Sequence, residues 1–166
     1  MNPMNRLLST ARQMLSSATV ALATGLGAGL SPFAPGTVGC LWGIPISALL
    51  KATQNHLWEA AGAGVLVVLA VPICSTAETR FGKKDDRRIV ADEFMTFPVC
   101  LLGLPLAAPV VVVAFVLNRF LDVLKPPPAR RAQQLPRGWG VVADDLTTSL
   151  YTLGIMHILH GLLAFG

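Results

Sequence analysis

The organisation of this chain follows from residues 118–145, which read NRFLDVLKPPPARRAQQLPRGWGVVADD. Apolar segments lie on both sides of this stretch, which itself carries three of the nine carboxylates and five of the thirteen Lys and Arg side chains. Arg119, Asp122 and Lys125 recur every three residues, so on a helix they share one face, with the anion between two cations. Pro126 then ends the helix. Two further carboxylates end the stretch, and we therefore expect acidic groups on both sides of a basic loop.

The composition indicates a small membrane protein. Hydrophobic residues make up 53% of the chain and charged residues 13%, with a mean hydropathy of +0.60, whereas about 25% of the residues of a soluble domain are charged. The 166 residues suffice for one compact bundle, so we expect a single membrane-embedded domain over residues 1–166.

The chain is basic, with a sequence pI near 9.3, but this charge does not indicate nucleic-acid binding. The basic residues lie in short loops between apolar runs and form no face that could track a duplex. We expect the partners to be the lipid bilayer and an anionic phospholipid, and no nucleic acid. The sequence indicates no particular protein partner.

The three cysteines, Cys40, Cys74 and Cys100, each lie inside an apolar run without the paired spacing of a metal site. We interpret them as buried small hydrophobic residues. Their positions inside apolar runs do not favour a cysteine nucleophile in a phosphatase. The sequence also lacks the Asp-x-Asp pair of an aspartyl-phosphate enzyme.

Residues 4–22 carry an apolar stripe at helical spacing, with polar side chains on the opposite side. The stripe consists of Met4, Leu7, Leu8, Ala11, Leu15, Ala18 and Leu22. This pattern predicts an amphipathic helix that lies at the membrane interface. A signal peptide cleaved after Ala-Leu-Ala at residues 21–23 is the alternative, but Gln13, Ser16 and Ser17 interrupt its apolar centre.

Residues 24–39, TGLGAGLSPFAPGTVG, contain too much glycine and proline for one regular helix. We expect a turn into a helix with Thr37 as its N-cap, which would leave backbone N–H groups free to meet an anion. A plain glycine-rich membrane turn explains the segment equally well.

The remaining segments predict an all-α polytopic membrane bundle. Its candidate spans are residues 38–50, 57–77, 89–117 and 146–166. Residues 78–88 are rich in Lys and Arg and are therefore expected on the cytoplasmic side. With the N-terminal interfacial helix, we expect about four to five transmembrane helices. Glu59 and His56 are assigned to the opposite interface, and His157 and His160 to packing or interface positions.

Residues 89–117 are expected to form a hairpin broken by proline and glycine near residues 103–109. A single span would place the following basic loop outside, against the charge rule, and would separate Asp92 from Asp122 by a whole membrane. A hairpin of two short or tilted helices avoids both conflicts.

This topology brings five carboxylates to the cytoplasmic mouth of the bundle, together with the glycine-rich turn and Lys125. The five are Asp92, Glu93, Asp122, Asp144 and Asp145. Such a cluster near a bilayer is costly unless a cation neutralises it. Ligands that are all oxygen favour a hard ion, with Mg²⁺ first. Each carboxylate could instead be a residue favoured at a helix N-terminus by the dipole.

Four blocks of the sequence resemble the phosphatidylglycerophosphatase A family of bacterial membrane lipid phosphatases. They read GLGAGLSPFAPGTVGCLWGIP at residues 25–45, IVADEFM at 89–95, NRFLDVLKPPP at 118–128 and GWGVVADDLTTSLY at 138–151, and cover about a third of the chain. The resemblance is specific because the Ala-Pro-Gly-Thr, Asp-Glu and Lys-Pro-x-Pro signatures occur jointly and in order. The family's Arg-x-x-x-Asp signature is represented here by Arg119 and Asp122, which are only three residues apart.

The resemblance implies a Mg²⁺-dependent enzyme of the bacterial cell (inner) membrane that hydrolyses the terminal phosphomonoester of phosphatidylglycerophosphate to give phosphatidylglycerol. Its catalytic carboxylates would be Asp92, Glu93, Asp122, Asp144 and Asp145; its metal ligands would be Asp92, Asp122, Asp144 and Asp145. Thr37, Arg119 and Lys125 would lie near the phosphate. The number of metal ions, and whether water or a carboxylate is the nucleophile, stay open at this stage.

The chain departs from the family pattern at Phe33, Thr96, Thr148 and Ser149, where the family tends to have Lys, Gly, Ala and Gly. These departures leave every expected carboxylate in place, but they leave open a different phospholipid substrate. A non-enzymatic cation-binding or transport protein is the alternative from another class. It would distribute acidic residues along a path through the bilayer midplane rather than at span ends on one side.

Overall fold

The computed structural model describes residues 16–163, and over that range the chain forms a bundle of helices. The helices are α1 (residues 16–23), α2 (Pro35–Cys40), α3 (Gly43–Lys51), α4 (His56–Phe81), α5 (Ala91–Thr96), α6 (Ala108–Leu124), α7 (Ala129–Ala132) and α8 (Gly138–Leu163). Two 3₁₀ helices, Ala28–Leu30 and Phe97–Leu101, complete them. The all-α class is confirmed. Most of the predicted amphipathic helix lies outside the described residues; its described part, from residue 16, is helical.

The long helices α4 and α8 pack against each other and support the rest of the bundle. Each has 26 residues and is therefore about 39 Å long. Asn55 caps α4, since its side-chain oxygen accepts hydrogen bonds from the N–H groups of Leu57 and Trp58 at 2.8 and 3.3 Å. Gly82, with φ of 68°, ends the helix in the left-handed conformation.

Small side chains fill the contacts between these helices. One core cluster, shared by α1, α4, α5 and α8, is built largely from Ala23, Ala70, Cys74, Ala77 and Ala91. A second cluster, at the 3₁₀ helix Phe97–Leu101, includes Cys40 and Cys100. Alanine and cysteine allow helix backbones to approach closely, as in membrane bundles. All three cysteines are buried and free, so their interpretation as small hydrophobic residues is confirmed.

The predicted hairpin is present. Its first arm is α5 followed by the 3₁₀ helix Phe97–Leu101, the chain turns with Gly103 at φ of 70°, and α6 forms the second arm. Proline ends α6 as expected: the helix stops at Leu124, and Lys125 adopts φ of 49° immediately before Pro126. The two arms therefore place Asp92 and Asp122 at the same end of the hairpin.

The expected four to five transmembrane helices are not confirmed. Among the described residues only α4 is long and apolar enough to cross a membrane, judged by length and composition. The segment over residues 38–50 breaks at Leu41 and Trp42 into α2 and α3, and α3 has only nine residues. Helix α6 has 17 residues. Helix α8 is long enough but carries two aspartates and two histidines.

The prediction places Glu59 at the interface opposite the acidic cluster, but its side chain is buried within the bundle rather than extended toward water. Its side chain is 6% exposed and pairs with Lys51, whose Nζ lies 2.5 Å from Glu59 Oε1 and donates a 2.8 Å hydrogen bond to the Leu101 carbonyl. The buried pair ties α3, α4 and the first arm of the hairpin together. Because the carboxylate is buried, Lys51 at one oxygen and His56 Nδ1, 3.4 Å from the other, stand in for solvent.

Both C-terminal histidines lie away from the acidic end of the hairpin, as expected. His157 is exposed, and its Nε2 lies 2.9 Å from the carbonyl oxygen of Leu102, at the hairpin turn. His160, one turn further along α8, is partly buried. Their prediction as packing or interface residues therefore agrees with their positions.

Candidate active site

All five predicted carboxylates line one cavity of about 150 Å³. The full lining is Pro35, Gly36, Asp85, Arg87, Ile89, Asp92, Glu93, Asp122, Lys125, Val141, Asp144 and Asp145. These residues come from α2, the loop before α5, and the helices α5, α6 and α8. The fold thus gathers side chains that lie more than a hundred residues apart in the sequence.

The cavity has a buried floor of aspartates. Asp92 lies in the first turn of α5, and Asp144 and Asp145 lie near the start of α8; they are 5%, 3% and 6% exposed. Asp122, in the last turn of α6, is more open, with a side chain 20% exposed. Helix α8 packs against both α5 and α6, which is why these carboxylates converge.

Lys125 is the cation that contacts the floor directly. Its ammonium group bonds to Asp144 Oδ2, and its side chain is 28% exposed. The left-handed backbone at Lys125, imposed where the helix meets the proline run, turns this side chain toward α8. The second oxygen of Asp144, Oδ1, is buried and has no hydrogen-bond partner among the described residues.

Arg119 does not line the cavity but joins two residues that do. Its guanidinium lies 3.4 Å from Glu93 Oε1 and 3.6 Å from Asp122 Oδ2. It also donates a 3.2 Å hydrogen bond to Asn118. The predicted Arg119–Asp122 spacing on one helix face is therefore confirmed, and Arg119 connects the two hairpin arms. Glu93 Oε2 is buried without a partner among the described residues.

Thr37 is not the N-cap that the sequence predicted. Helix α2 begins at Pro35, and Ala34 precedes it with φ of 42° and no side-chain cap. The proline fixes the backbone for the first helical position, so the helix starts at Pro35, three residues before the start that a Thr37 N-cap would give. Thr37 is partly buried and is not among the lining residues, whereas its neighbours Pro35 and Gly36 are.

Gly36 allows α2 to approach α5. A Cβ atom at residue 36 would lie 2.1 Å from Oε1 and 2.7 Å from Cδ of Glu93. Any side chain here would displace the glutamate carboxyl group. This contact gives a structural reason for glycine in the Ala-Pro-Gly-Thr signature.

Two cavity residues were missed by sequence reasoning, Asp85 and Arg87. The sequence indicates only that their segment is a Lys- and Arg-rich loop on the cytoplasmic side. The loop is in fact held in place: the Asp85 N–H donates to Glu78 Oε1 at 2.9 Å, and Gln133 Nε2 donates to Asp85 Oδ2 at 2.8 Å. Lys84 donates to the carbonyls of Gln133 and Leu135, both at 2.9 Å. The only sequence feature that could have identified these two residues is their position, because their loop leads directly into α5, which carries Asp92 and Glu93.

The cavity carries an excess of negative charge. Its lining includes six carboxylates and two cations, and Arg119 adds a third cation next to it, so three formal negative charges are uncompensated. A phosphomonoester dianion would be repelled from such a cavity unless a metal cation were bound. The two partnerless oxygens, on Glu93 and Asp144, are free to accept one.

The donor chemistry fits Mg²⁺, which prefers carboxylate oxygen and retains several waters. In their present positions, no three Asp, Glu, His or Cys side chains of the described chain form a metal-binding group. Mg²⁺ at phosphoryl-transfer sites typically uses one or two carboxylates together with substrate phosphate oxygens. A ready-made cage is therefore not required for this ion.

Three of the four residues that depart from the family pattern lie inside the bundle rather than in the cavity wall, whereas Phe33 is 82% exposed. Thr96 is 1% exposed and donates a 2.7 Å hydrogen bond to the Asp92 carbonyl. Ser149 is 1% exposed and lies 3.4 Å from Asn118 Nδ2. Thr148 is fully buried, and its hydroxyl donates to the Asp145 carbonyl at 2.9 Å. The hydroxyl groups of Thr96 and Thr148 bond within their own helices, whereas that of Ser149 accepts from Asn118 of α6.

Comparisons with known proteins identify relatives along nearly the whole chain. The family model described as phosphatidylglycerophosphatase A matches residues 21–160. Phosphatidylglycerophosphatase A of Escherichia coli strain K12 is 30% identical over 161 residues, covering 95% of this chain and 92% of the relative. The Haemophilus influenzae protein of the same name is 32% identical over 134 residues, covering 80% of this chain and 82% of the relative.

A third relative carries a different name. A Bacteroides thetaiotaomicron protein named, provisionally, as a phosphatidylinositol-3-phosphatase is 35% identical over 142 residues, covering 80% of this chain and 87% of the relative. No solved structure is significantly similar to the chain.

Proposed function

Because the chain belongs to the phosphatidylglycerophosphatase A family of phosphatases, we propose that it converts phosphatidylglycerophosphate to phosphatidylglycerol and phosphate in a Mg²⁺-dependent hydrolysis. The observation that carries the proposal is the cavity, in which six carboxylates outnumber the cations. Its lining residues include no histidine or cysteine. Such a cavity suits a divalent cation together with a phosphate ester and supplies no thiol or imidazole nucleophile.

In this proposal Asp92, Asp122, Asp144 and Asp145 would hold Mg²⁺. The ion would supply the positive charge that a phosphomonoester dianion needs in order to approach these carboxylates. Lys125 already bonds to Asp144, and its remaining N–H donors would bind phosphoryl oxygens.

The chain's own residues would then direct water to the phosphorus atom. The oxygen of water forms a bond to phosphorus as the bond from phosphorus to the glycerol oxygen breaks. The proton of water passes to an uncommitted carboxylate, and the departing alkoxide takes a proton from solvent. Glu93 suits the role of general base because it lines the cavity and its Oε2 has no partner among the described residues. Arg119 would hold the opposite oxygen of this carboxylate.

The proposal is tested by phosphate release from short-chain phosphatidylglycerophosphate by the purified protein in detergent. We expect release with Mg²⁺ and loss of release with EDTA, restored when Mg²⁺ is returned. A protein that binds cations without catalysis would release no phosphate under either condition, and that result would overturn the proposal.

A second candidate substrate follows from the Bacteroides relative, whose name assigns it a phosphoinositide. Phosphatidylinositol 3-phosphate likewise combines a phosphodiester with a terminal phosphomonoester. Comparing kcat/KM for the two lipids separates the candidates. We expect phosphatidylglycerophosphate to give the higher value, because two of the three relatives are named for it.

We further propose that the protein is a multi-pass protein of the bacterial inner membrane with its active site on the cytoplasmic side. Large apolar side chains are exposed on the outer faces of α4 and α6, including Val68 at 69%, Val116 at 60% and Val123 at 85%. Apolar surface of this extent suits contact with lipid. The basic loops beside the cavity suit the cytoplasmic side.

Cysteine labelling in intact cells tests this orientation. Lys83→Cys and Arg130→Cys each place a thiol at an exposed position beside the cavity, and the native cysteines are buried. We expect neither variant to react with a membrane-impermeant maleimide until the inner membrane is opened. Labelling of both in intact spheroplasts would place the site outside, and labelling of only one would contradict the loop contacts described above.

A further inference from the structure

Arg87 is a cation of the cavity that no described residue neutralises. It lines the cavity, its side chain is exposed, and it makes no hydrogen bond or ion pair with another described residue. The other two cations are already engaged, since Lys125 contacts Asp144 and Arg119 pairs with Glu93 and Asp122. Arg87 is therefore available for an anion that arrives from outside.

The neighbouring residue shows that this freedom is specific to Arg87. Arg88 donates to both oxygens of Asp86, at 2.8 and 3.0 Å, and its guanidinium lies 3.9 Å from the centre of the Phe81 ring. These hydrogen bonds lower the pKa of Asp86 to about 2, so Asp86 stays ionised and committed to Arg88.

The backbone around Arg87 is fixed. The Glu78 and Gln133 side chains hold Asp85, and the Ile89 N–H donates a 2.8 Å hydrogen bond to the Asp86 carbonyl. Contacts on both sides of Arg87 therefore hold its Cα at the rim of the cavity. A positioned arginine loses less conformational entropy when it binds an anion than one on a loose loop does.

Position within the cavity indicates which phosphate Arg87 meets. The reacting phosphate must reach the buried floor of Asp92, Asp144 and Asp145, where Lys125 also points. In the proposed substrate a glycerol unit separates this terminal phosphate from the phosphodiester that leads to the lipid. With the terminal phosphate at the floor, the phosphodiester lies toward the rim, where Arg87 is exposed.

We propose that Arg87 is a specificity-determining residue that binds the phosphodiester of the lipid headgroup. The inference rests on the proposed function and adds a recognition site for a second anionic group. A guanidinium can bind two phosphodiester oxygens through its planar fork of N–H donors. Substrates with a phosphodiester in addition to the phosphomonoester would thereby be favoured over simple phosphomonoesters.

Product inhibition tests the assignment, because the two products divide the substrate's phosphates between them. Short-chain phosphatidylglycerol retains only the phosphodiester, whereas inorganic phosphate represents the group that leaves. In Arg87→Ala we expect the KM for phosphatidylglycerophosphate and the Ki of phosphatidylglycerol to rise about 10-fold, as for loss of a charge-assisted hydrogen bond. We expect kcat and the Ki of inorganic phosphate to change by less than about twofold.

Two variants provide controls. Arg87→Lys keeps the charge but loses the planar fork of N–H donors, so it should restore only part of the affinity for phosphatidylglycerol. Lys83→Ala removes a cation from the same loop that does not line the cavity, and should leave both inhibition constants unchanged. An unchanged Ki of phosphatidylglycerol in Arg87→Ala, or an equal rise in the Ki of inorganic phosphate, would overturn the assignment. Failure of the unmodified protein to release phosphate would instead refute the proposed function, and this inference with it.

Discussion

Asp145→Asn and Asp122→Asn are each expected to lower Mg²⁺-dependent turnover of phosphatidylglycerophosphate by about 100-fold or more. Asparagine keeps the size and one oxygen of aspartate but removes the charge that would offset the metal ion. Changes in residues that only support a metal's ligands already cost about 10- to 100-fold, so loss of a ligand itself should cost at least as much. Turnover measured across a Mg²⁺ titration, with enzyme in detergent, checks this expectation.

Both variants should remain folded. The six carboxylates of the cavity repel one another without a cation, so removing one charge relieves repulsion. Asp122→Asn also weakens the 3.6 Å pair with Arg119, but Glu93 keeps that guanidinium paired. Asp145, buried in the floor, should show this most clearly, and its asparagine variant should unfold at an unchanged or higher temperature. Near-normal turnover and Mg²⁺ dependence in both variants would show that the metal site is elsewhere.

Glu59→Gln is the matched control, because it also removes a buried carboxylate from the bundle. Its partner Lys51 would lose its counter-charge in a buried position, which should cost about 2 kcal/mol of stability. We expect a lower unfolding midpoint in detergent with turnover per folded molecule preserved. Asp145→Asn should therefore lower activity without lowering stability, and Glu59→Gln should lower stability without lowering activity.

Gly36→Ala is expected to reduce turnover by about 10- to 100-fold, although it adds only one methyl group. The new Cβ would lie 2.1 Å from Glu93 Oε1, so the carboxyl group must move away from Arg119 and from the cavity. Displacement of a catalytic group by about 1 Å can cost about 100-fold in rate. Turnover under saturating substrate and Mg²⁺ is the measurement.

Gly64→Ala is its control, since a Cβ at that position of α4 would meet no atom within 4 Å. It should have little effect on turnover. A double-mutant cycle tests whether Gly36→Ala acts through Glu93. In a Glu93→Asp background, where the side chain is shorter, Gly36→Ala should cause a smaller further loss of turnover. Equal losses in both backgrounds would show that the glycine acts through something other than Glu93.

The hairpin and the carboxylate cluster were predictable from the sequence because each rests on a strong local constraint. Proline after Lys125 ends a helix whatever surrounds it, and glycine and proline near residues 103–109 oblige the apolar segment to turn. Once the chain turns there, Asp92 and Asp122 must lie at the same end. The chain turns and the charge pattern together predicted the cluster, and all five predicted carboxylates line one cavity.

Contacts between distant segments were not predictable. Glu59 looked like an interfacial carboxylate because its partner Lys51 precedes it across a polar turn, and nothing local shows that both become buried. Asp85 and Arg87 were not predicted as cavity residues, because the groups that hold their loop, Glu78 and Gln133, lie on other elements. Thr37 was misassigned because proline and threonine both favour helix starts, and the proline comes first.

The packing of α8 has a consequence for the order in which the molecule assembles. This helix is the last described element to be synthesised, and it contributes Asp144 and Asp145 while packing against α4, α5 and α6. Until it docks, the emerging chain holds only part of the acidic cavity. The repulsion that Asp144 and Asp145 add therefore arises only when α8 docks, and Lys125 is already synthesised by then and can contact Asp144.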